Sequence, residues 1–173
     1  MRWLIDGYNV IRRDPDLRSA EAKSLETGRK ALVRLLAEAA QRTGDSFTVV
    51  FDGAPGPGSA TPPGRIETVF SRPPDRADDV LIRLAGRWHE AAIVVTSDRA
   101  VQDAARRLHA VVIESADFVA AVASGESGID DTVSDDDDDE DDSDRGASKR
   151  GNPRRRSREA RVAARALRRL RGF

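Results

Sequence analysis

The chain has 173 residues and no cysteine, so neither a disulfide framework nor a thiolate metal site is possible. Its first apolar run ends at Asp6, which argues against a signal peptide. No apolar run approaches the ~18 residues that a membrane helix requires. We therefore expect a soluble, cytoplasmic protein with no membrane partner.

The formal net charge of −1 conceals three unlike segments. Residues 1–129 are nearly balanced, with 17 basic and 18 acidic residues. Residues 130–144 carry 11 acids and no base, whereas residues 145–173 carry 12 bases and one acid. An acidic block followed by a basic block suggests contact with nucleic acid.

Short apolar runs alternate with helical patterns along the body of the chain. Residues 3–5, 47–51, 91–96 and 111–113 are typical of strands covered on both faces of a parallel sheet. The partly alternating run at residues 66–70 predicts an edge strand.

Apolar residues recur at helical spacing in residues 25–39, 80–88, 101–108 and 118–122. The resulting order of strands and helices predicts an α/β domain with a central, mainly parallel five-stranded sheet. Residues 52–64 contain four Gly and four Pro, which predicts a surface loop. A substrate guide and an ordinary variable loop are both open interpretations of it.

The apolar pattern stops near residue 124. We expect a domain at residues 1–124, an acidic linker at 125–148 that is disordered through self-repulsion, and an arginine-rich tail at 149–173. Ala163, Leu167 and Leu170 recur at helical spacing, so the tail is expected to become helical on a polyanion. The two charged blocks either pair with each other or remain independently solvated.

Aspartates follow the predicted strands. Asp6, Asp52 and Asp98 come after three of the apolar runs, and Asp78 and Asp79 open the helix that precedes the fourth strand. Because the ends of parallel strands share one edge, up to five carboxylates are expected to converge there. Their repulsion favours a divalent cation, and oxygen ligands favour Mg²⁺ or Mn²⁺. Such an ion activates water for phosphodiester hydrolysis.

Each aspartate also has an ordinary interpretation. Asp78 and Asp79 suit the first turn of a helix, with Asp75 as its N-cap. Ser97 or Asp98 equally suits the N-cap of the next helix. The argument for a site is therefore the shared edge, not any single residue.

Other chemistries have little support. His89 and His109 precede the fourth and fifth strands, so both are expected at the opposite edge of the sheet. No phosphate-binding glycine motif follows the first strand, which argues against a nucleotide cofactor.

Arginines near the acidic edge suit contacts with a phosphate backbone. These RNA-binding candidates are Arg12, Arg13, Arg72, Arg76 and Arg99, together with Arg154, Arg155 and Arg156 of the basic tail. For each one, a solvated surface arginine is the alternative.

The opening sequence LIDGYNVI at residues 4–11 resembles that of NYN-domain proteins, which belong to the PIN-like nuclease group. VVFDG at 49–53, residues 66–71, ADD at 77–79, and VVTSD at 94–98 followed by Gln102 are similar to the YacP-like branch. That branch includes a bacterial ribosome-associated messenger-RNA endonuclease. The match runs in order over about residues 2–120.

The resemblance implies a three-layer, Rossmann-like PIN fold and metal-dependent RNA cleavage that leaves 5′-phosphate and 3′-hydroxyl ends. RNA is the implied substrate, and the ribosome is a candidate partner. The matching positions are Asp6, Asp78 and Asp98 as catalytic metal ligands, Asn9 of the opening motif as a further catalytic residue, and Asp52 as a further metal-site acid; Asn9 and Asp52 are expected to orient the ligands or the attacking water. A non-catalytic RNA- or ribosome-binding module is the alternative. A metal-dependent phosphatase that acts on small substrates is a weaker alternative, since no Asp-x-Asp motif follows the first strand.

Overall fold

The structure, a computed structural model, describes residues 1–55, 64–127 and 157–172. This part holds five strands: β1 (Arg2–Asp6), β2 (Ser46–Phe51), β3 (Ile66–Phe70), β4 (Ala92–Val95) and β5 (Val111–Ile113). It also holds seven α-helices: α1 (Gly7–Arg13), α2 (Pro15–Lys23), α3 (Leu25–Thr43), α4 (Ala77–Trp88), α5 (Arg99–Arg107), α6 (Ser115–Ser127) and α7 (Arg158–Arg171). None of these helices is long and apolar enough to cross a bilayer.

The strands form one sheet in the order β3-β2-β1-β4-β5, and every neighbouring pair is parallel. The predicted five-stranded parallel α/β fold is confirmed, and β3 is an edge strand as expected. In the central strand, Leu4 pairs with Thr48 on one side and Val94 on the other. The carboxyl ends of all five strands therefore lie along one edge.

Helices cover both faces of the sheet, which gives three layers. Trp3 and Ile5 pack into a core beneath α1, α3, α6 and α7, whereas Leu4 packs into a second core beneath α4 and α5. This alternation follows from the two-residue period of a strand. Trp3 is fully buried, whereas Phe70 and Trp88 are half-buried.

Three helices, where the sequence predicts one, connect β1 to β2. Asp6 caps α1 directly after β1, Asp14 caps α2 with Pro15 at its first position, and Ser24 caps α3. The single predicted helix corresponds to α3, which has a long apolar stripe. The shorter helices α1 and α2 lack such a stripe, and only their capping residues indicate them.

The basic C-terminal segment forms α7, which packs against α6 and β5. Its Ala166 and Leu170 are fully buried, with Val162 packed beside them. This differs from the expected tail that becomes helical only on a polyanion. An apolar stripe on one side of α7 explains the difference, because it completes the core beneath α6. The expected disorder of the acidic linker concerns residues outside the described ranges, apart from the end of α6.

Helix α7 lies at the amino-terminal edge of the sheet. Near its start, Arg158 binds the Glu90 carboxylate with N–O distances of 2.9 and 2.6 Å. Near its end, Arg169 binds Asp45 at 3.2 Å. Glu90 and Asp45 precede β4 and β2, so both ends of α7 are fixed at this edge.

Candidate active site

Asp6 is the most buried carboxylate at the carboxyl ends of the strands, with a relative exposure of 8%. It ends β1, and its Oδ1 atom accepts a hydrogen bond from the Asn9 N–H at 3.2 Å. Its Oδ2 atom accepts from the Thr96 hydroxyl at 2.9 Å. Burial raises the pKa of Asp6, while these bonds and the positive charge of Arg12 partly oppose the effect.

Thr96 connects two of the aspartates. Its hydroxyl donates to Asp6 and accepts from the Asp98 N–H at 3.1 Å. Thr96 itself is fully buried after β4. Asp98 caps α5: its Oδ1 atom accepts hydrogen bonds from the N–H groups of Ala100 and Val101 at 2.8 and 3.2 Å. The N-cap interpretation of Asp98 is thus correct, and its second carboxylate oxygen lies outside these bonds.

Asn9 holds α1 against the loop that follows β4. Its Oδ1 atom accepts from the Ser97 N–H at 3.3 Å. Its side chain also hydrogen-bonds Asp6, which lowers the pKa of that carboxyl. Asn9 is therefore well placed to position both Asp6 and the segment that carries Asp98.

Asp52 lies directly after β2. Its side chain connects the residue that follows β3 to the first residue of α4. One of its oxygens accepts from the Ser71 hydroxyl at 2.5 Å and from the Ala77 N–H at 3.3 Å. The same Ser71 hydroxyl accepts from the Gly53 N–H at 3.3 Å. Asp52 thus fixes the start of α4 relative to the ends of β2 and β3.

The adjacent aspartates of α4 have different roles. Asp79 accepts from the Arg76 N–H at 2.9 Å and so stabilises the start of the helix. Asp75, the expected cap, instead pairs with Arg83. Asp78 is half-buried and forms no hydrogen bond within the described residues.

The pKa of Asp78 is raised first by burial and then by the negative charges of Asp6, Asp98 and Asp52, against a smaller opposing effect of Arg76. These four aspartates therefore share one electrostatic field, and we call them the carboxylate edge. Repulsion among ionised carboxylates disfavours their joint ionisation unless a cation balances the charge.

Of the predicted arginines, two act on the carboxylate edge. The positive charges of Arg12 and Arg76 lower the pKa values of Asp6 and Asp78, respectively. Arg13, Arg72 and Arg99 are exposed on α1, before α4 and at the start of α5. Arg154, Arg155 and Arg156 lie outside the described residues, so their prediction stays a prediction.

The structure adds supporting residues that the sequence pattern does not single out. Gln102 donates to the Thr96 carbonyl at 2.8 Å and to Glu114 at 2.7 Å, and the latter bond lowers the pKa of Glu114. Gln102 belongs to the motif quoted above, but the contact partners of its amide could not be read from spacing. The contacts of Thr96 and Ser71 could not be read from spacing either, because their hydroxyls hydrogen-bond Asp6 and Asp52, which are distant in the sequence.

Arg29 supports the start of the glycine- and proline-rich loop. This arginine is 9% exposed, and its guanidinium donates to the Tyr8 hydroxyl at 3.0 Å and to the Ala54 carbonyl at 3.2 Å. It also lies over the rings of Phe51 and Phe70 at 5.5 and 5.1 Å. Its position in α3 gives it an ordinary helical environment, so the sequence alone offers no signal for this contact.

The donor chemistry of the carboxylate edge fits a hard divalent cation. Its ligands are oxygens, and Asp78 and Asp98 have carboxylate oxygens outside the hydrogen bonds described above. Across residues 1–55, 64–127 and 157–172, no three His, Cys, Asp or Glu side chains form a ready metal site. Mg²⁺ commonly keeps several waters and uses only one or two carboxylates. One or two carboxylates of this edge therefore fit the way in which such an ion is usually bound.

A parallel five-stranded sheet between helical layers, with acids along its carboxyl edge, defines a PIN-like, nuclease-type fold. The model of the YacP-like NYN domain matches residues 3–160, and this chain belongs to that family. The expected family is therefore confirmed, which supports an RNA-related function of nuclease type.

The chain is similar to YacP from Bacillus subtilis in sequence and in structure. The curated "Uncharacterized protein YacP" (strain 168) is 34% identical over 100 residues, which cover 55% of this chain and 59% of that protein. The match thus spans less than two thirds of the relative. The crystal structure of Rae1 (YacP) has a TM-score of 0.58 and 31% identity, covering 66% of this chain and 69% of that one. A mutant form of Rae1 gives a TM-score of 0.56 at 30% identity.

Proposed function

We propose that this protein is an endoribonuclease that hydrolyses RNA at the carboxylate edge with the help of Mg²⁺ or Mn²⁺. The observation that carries this proposal is the placement of four aspartates at one edge of the sheet, where Thr96 connects Asp6 to Asp98 and Asp52 binds the start of the helix that carries Asp78. The family supports the nuclease class and RNA as the substrate. Messenger RNA on the ribosome and a cytoplasmic location belong to the same proposal.

A bound ion would supply an activated water and stabilise negative charge on the phosphoryl oxygens. Asp78 and Asp98 are the proposed ligands, with Asp52 close enough to add negative charge. Asp6 contributes a buried charge that Asn9 and Thr96 hold in place.

Arginines on the surface around the edge would orient the RNA. Arg12 and Arg76 carry positive charge within electrostatic reach of Asp6 and Asp78. Guanidinium groups bind phosphate oxygens in a bidentate manner, which suits a backbone that passes over the edge. Their contribution is expected to be independent of RNA sequence.

A non-catalytic RNA-binding module is the second candidate. It is favoured by the absence of a ready three-ligand metal site in the described part of the chain. It is also favoured by Asp6, both of whose oxygens already accept hydrogen bonds. Under this alternative, the carboxylate edge would be inherited architecture, and RNA would be bound without cleavage in the presence of Mg²⁺.

Mapping of RNA ends in a translating extract distinguishes the two functions. Wild-type protein is compared with Asp6→Asn and Asp78→Asn, and with Asp79→Asn as the matched control. Asp79 carries the same charge next to Asp78 but is engaged at the helix start. We expect new 5′-phosphate ends with the wild type and the control, and none with the other two variants.

The positions of the new ends would also report on ribosome dependence. Ends at a fixed distance from stalled ribosomes would support cleavage of translated RNA. Cleavage that persists in both the Asp6→Asn and Asp78→Asn variants would overturn the proposed active site. Salt-sensitive RNA binding without any new ends would favour the binding module.

A further inference from the structure

Helix α7 presents arginines to solvent on the side opposite its buried stripe. The helix contains six Arg and no Lys. Arg161, Arg165 and Arg168 are exposed and share one face, because they are spaced by four and three residues. Ala166 and Leu170 lie on the opposite face and are fully buried. We call the three exposed side chains the arginine stripe.

Docking of α7 does not use the two N-terminal arginines of the stripe. The ion pairs that fix the helix come from its flanks, where Arg158 meets Glu90 and Arg169 meets Asp45. Within the described residues, neither Arg161 nor Arg165 forms an ion pair or a hydrogen bond. Their backbones are separated by about 6 Å along the helix axis, from a rise of about 1.5 Å per residue. The pair therefore presents uncompensated positive charge.

Two further arginines lie near α7 at the amino-terminal edge of the sheet. A cavity of about 510 Å³ lies beside α7, where Val162 forms part of its lining. Arg2 and Arg65 line the same cavity at the amino-terminal edge, together with Glu90, whose carboxylate is paired with Arg158. This side of the molecule therefore offers guanidinium groups from the helix and from the sheet.

The chemistry of this surface fits a phosphate backbone. Guanidinium groups bind phosphate through paired hydrogen bonds, and successive arginines match a ligand whose charge repeats along its length. The exposed face of α7 carries arginine and alanine, without the aromatic side chains that anchor most protein partners. A polyanionic nucleic acid is thus a better match than an apolar protein surface.

We propose that the arginine stripe is a second RNA-binding surface on the edge opposite the carboxylate edge. The identification of the nucleic acid as RNA rests on the proposed function. The two ends of β1 alone, four residues apart, are separated by about 13 Å at a rise of about 3.3 Å per residue, so the two surfaces are far apart. An RNA of a few nucleotides occupies only one of them, whereas a long or folded RNA reaches both.

Fluorescence anisotropy with a labelled single-stranded RNA tests the proposal in the full chain. The double variant Arg161→Gln/Arg165→Gln is compared with Arg18→Gln/Arg34→Gln, which removes the same charge from exposed positions on α2 and α3. Binding is measured with chelator present, so that it is independent of cleavage. Each lost contact to a single strand lowers the dependence of log K on log salt by about 0.7, so we expect a decrease of about 1.4 for the stripe variant and a smaller one for the control.

Equal salt dependence for the two double variants would overturn the proposal, even if the wild type cleaves RNA. Conversely, loss of binding in the stripe variant supports the surface even if no cleavage is found. The acidic segment at residues 130–144 is the competing occupant. If the stripe variant and the control keep equal salt dependence both with and without that segment, the stripe does not bind RNA and the proposal fails. Circular dichroism is the control for the fold, and we expect the exposed substitutions to leave the helices intact.

Discussion

Leu170→Ala tests whether α7 is part of the folded domain. Leu170 is fully buried and packs into the same core as Trp3 and Phe118. The substitution removes three buried carbons at about 0.8 kcal/mol each, or about 2.4 kcal/mol in total. The cavity left behind adds to this value, and buried Leu→Ala changes generally cost about 2–5 kcal/mol. Helix propensity does not add to the loss, since Ala is a good helix former.

Hydrogen exchange of the central amides of α7 is the appropriate assay, because the helix can detach without global unfolding. A loss of about 2.4 kcal/mol corresponds to roughly sixtyfold faster exchange. Leu167→Ala is the matched control, since the same change at a half-buried position of the same helix is expected to cost less. Unprotected α7 amides in the wild type, or equal exchange in the two variants, would refute the docked helix.

Two further predictions concern the carboxylate edge. In the metal-free protein, Asp6→Asn is expected to increase the free energy of unfolding at neutral pH, because burial raises the pKa of Asp6 and disfavours its ionised form. This gain is lost as the pH falls through the raised pKa of folded Asp6 towards the ordinary value of 3.8, below which both states bind the proton, so equal gains in urea unfolding at about pH 7 and about pH 3 would contradict it. Thr96→Val is expected to cost about 1–3 kcal/mol in the same assay, since it leaves the Asp98 N–H without its acceptor and the Oδ2 atom of Asp6 without its donor. Thr96→Ser keeps the hydroxyl, and equal losses for both variants would show that the hydrogen bonds do not matter.

The sequence was sufficient for the sheet and for the acids at its edge, because apolar runs and strand ends are local features. Asp6 and Asp52 directly end their strands, and parallel pairing then places both at one edge. The local pattern also predicted an N-cap for α5 at Ser97 or Asp98, and the structure shows that Asp98 is the N-cap.

Contacts between distant residues could not be predicted in the same way. Thr96 reaches Asp6 across ninety residues of sequence, and no spacing rule indicates that bond. The docking of α7 depends on how Ala166 and Leu170 fit the core beneath α6. The many arginines of the segment indicate a solvated tail and give no sign of this packing. The difference between Asp78 and Asp79 likewise depends on side-chain direction at the start of α4.

Titration of Mn²⁺ into the full chain, monitored by electron paramagnetic resonance, tests the central claim that the carboxylate edge is a divalent cation site. We expect wild type and Asp79→Asn to bind the ion with similar affinity, and Asp78→Asn to bind at least about tenfold more weakly, a loss of about 1.4 kcal/mol. Equal affinity in the Asp78→Asn and Asp79→Asn variants would contradict a metal site at the carboxylate edge.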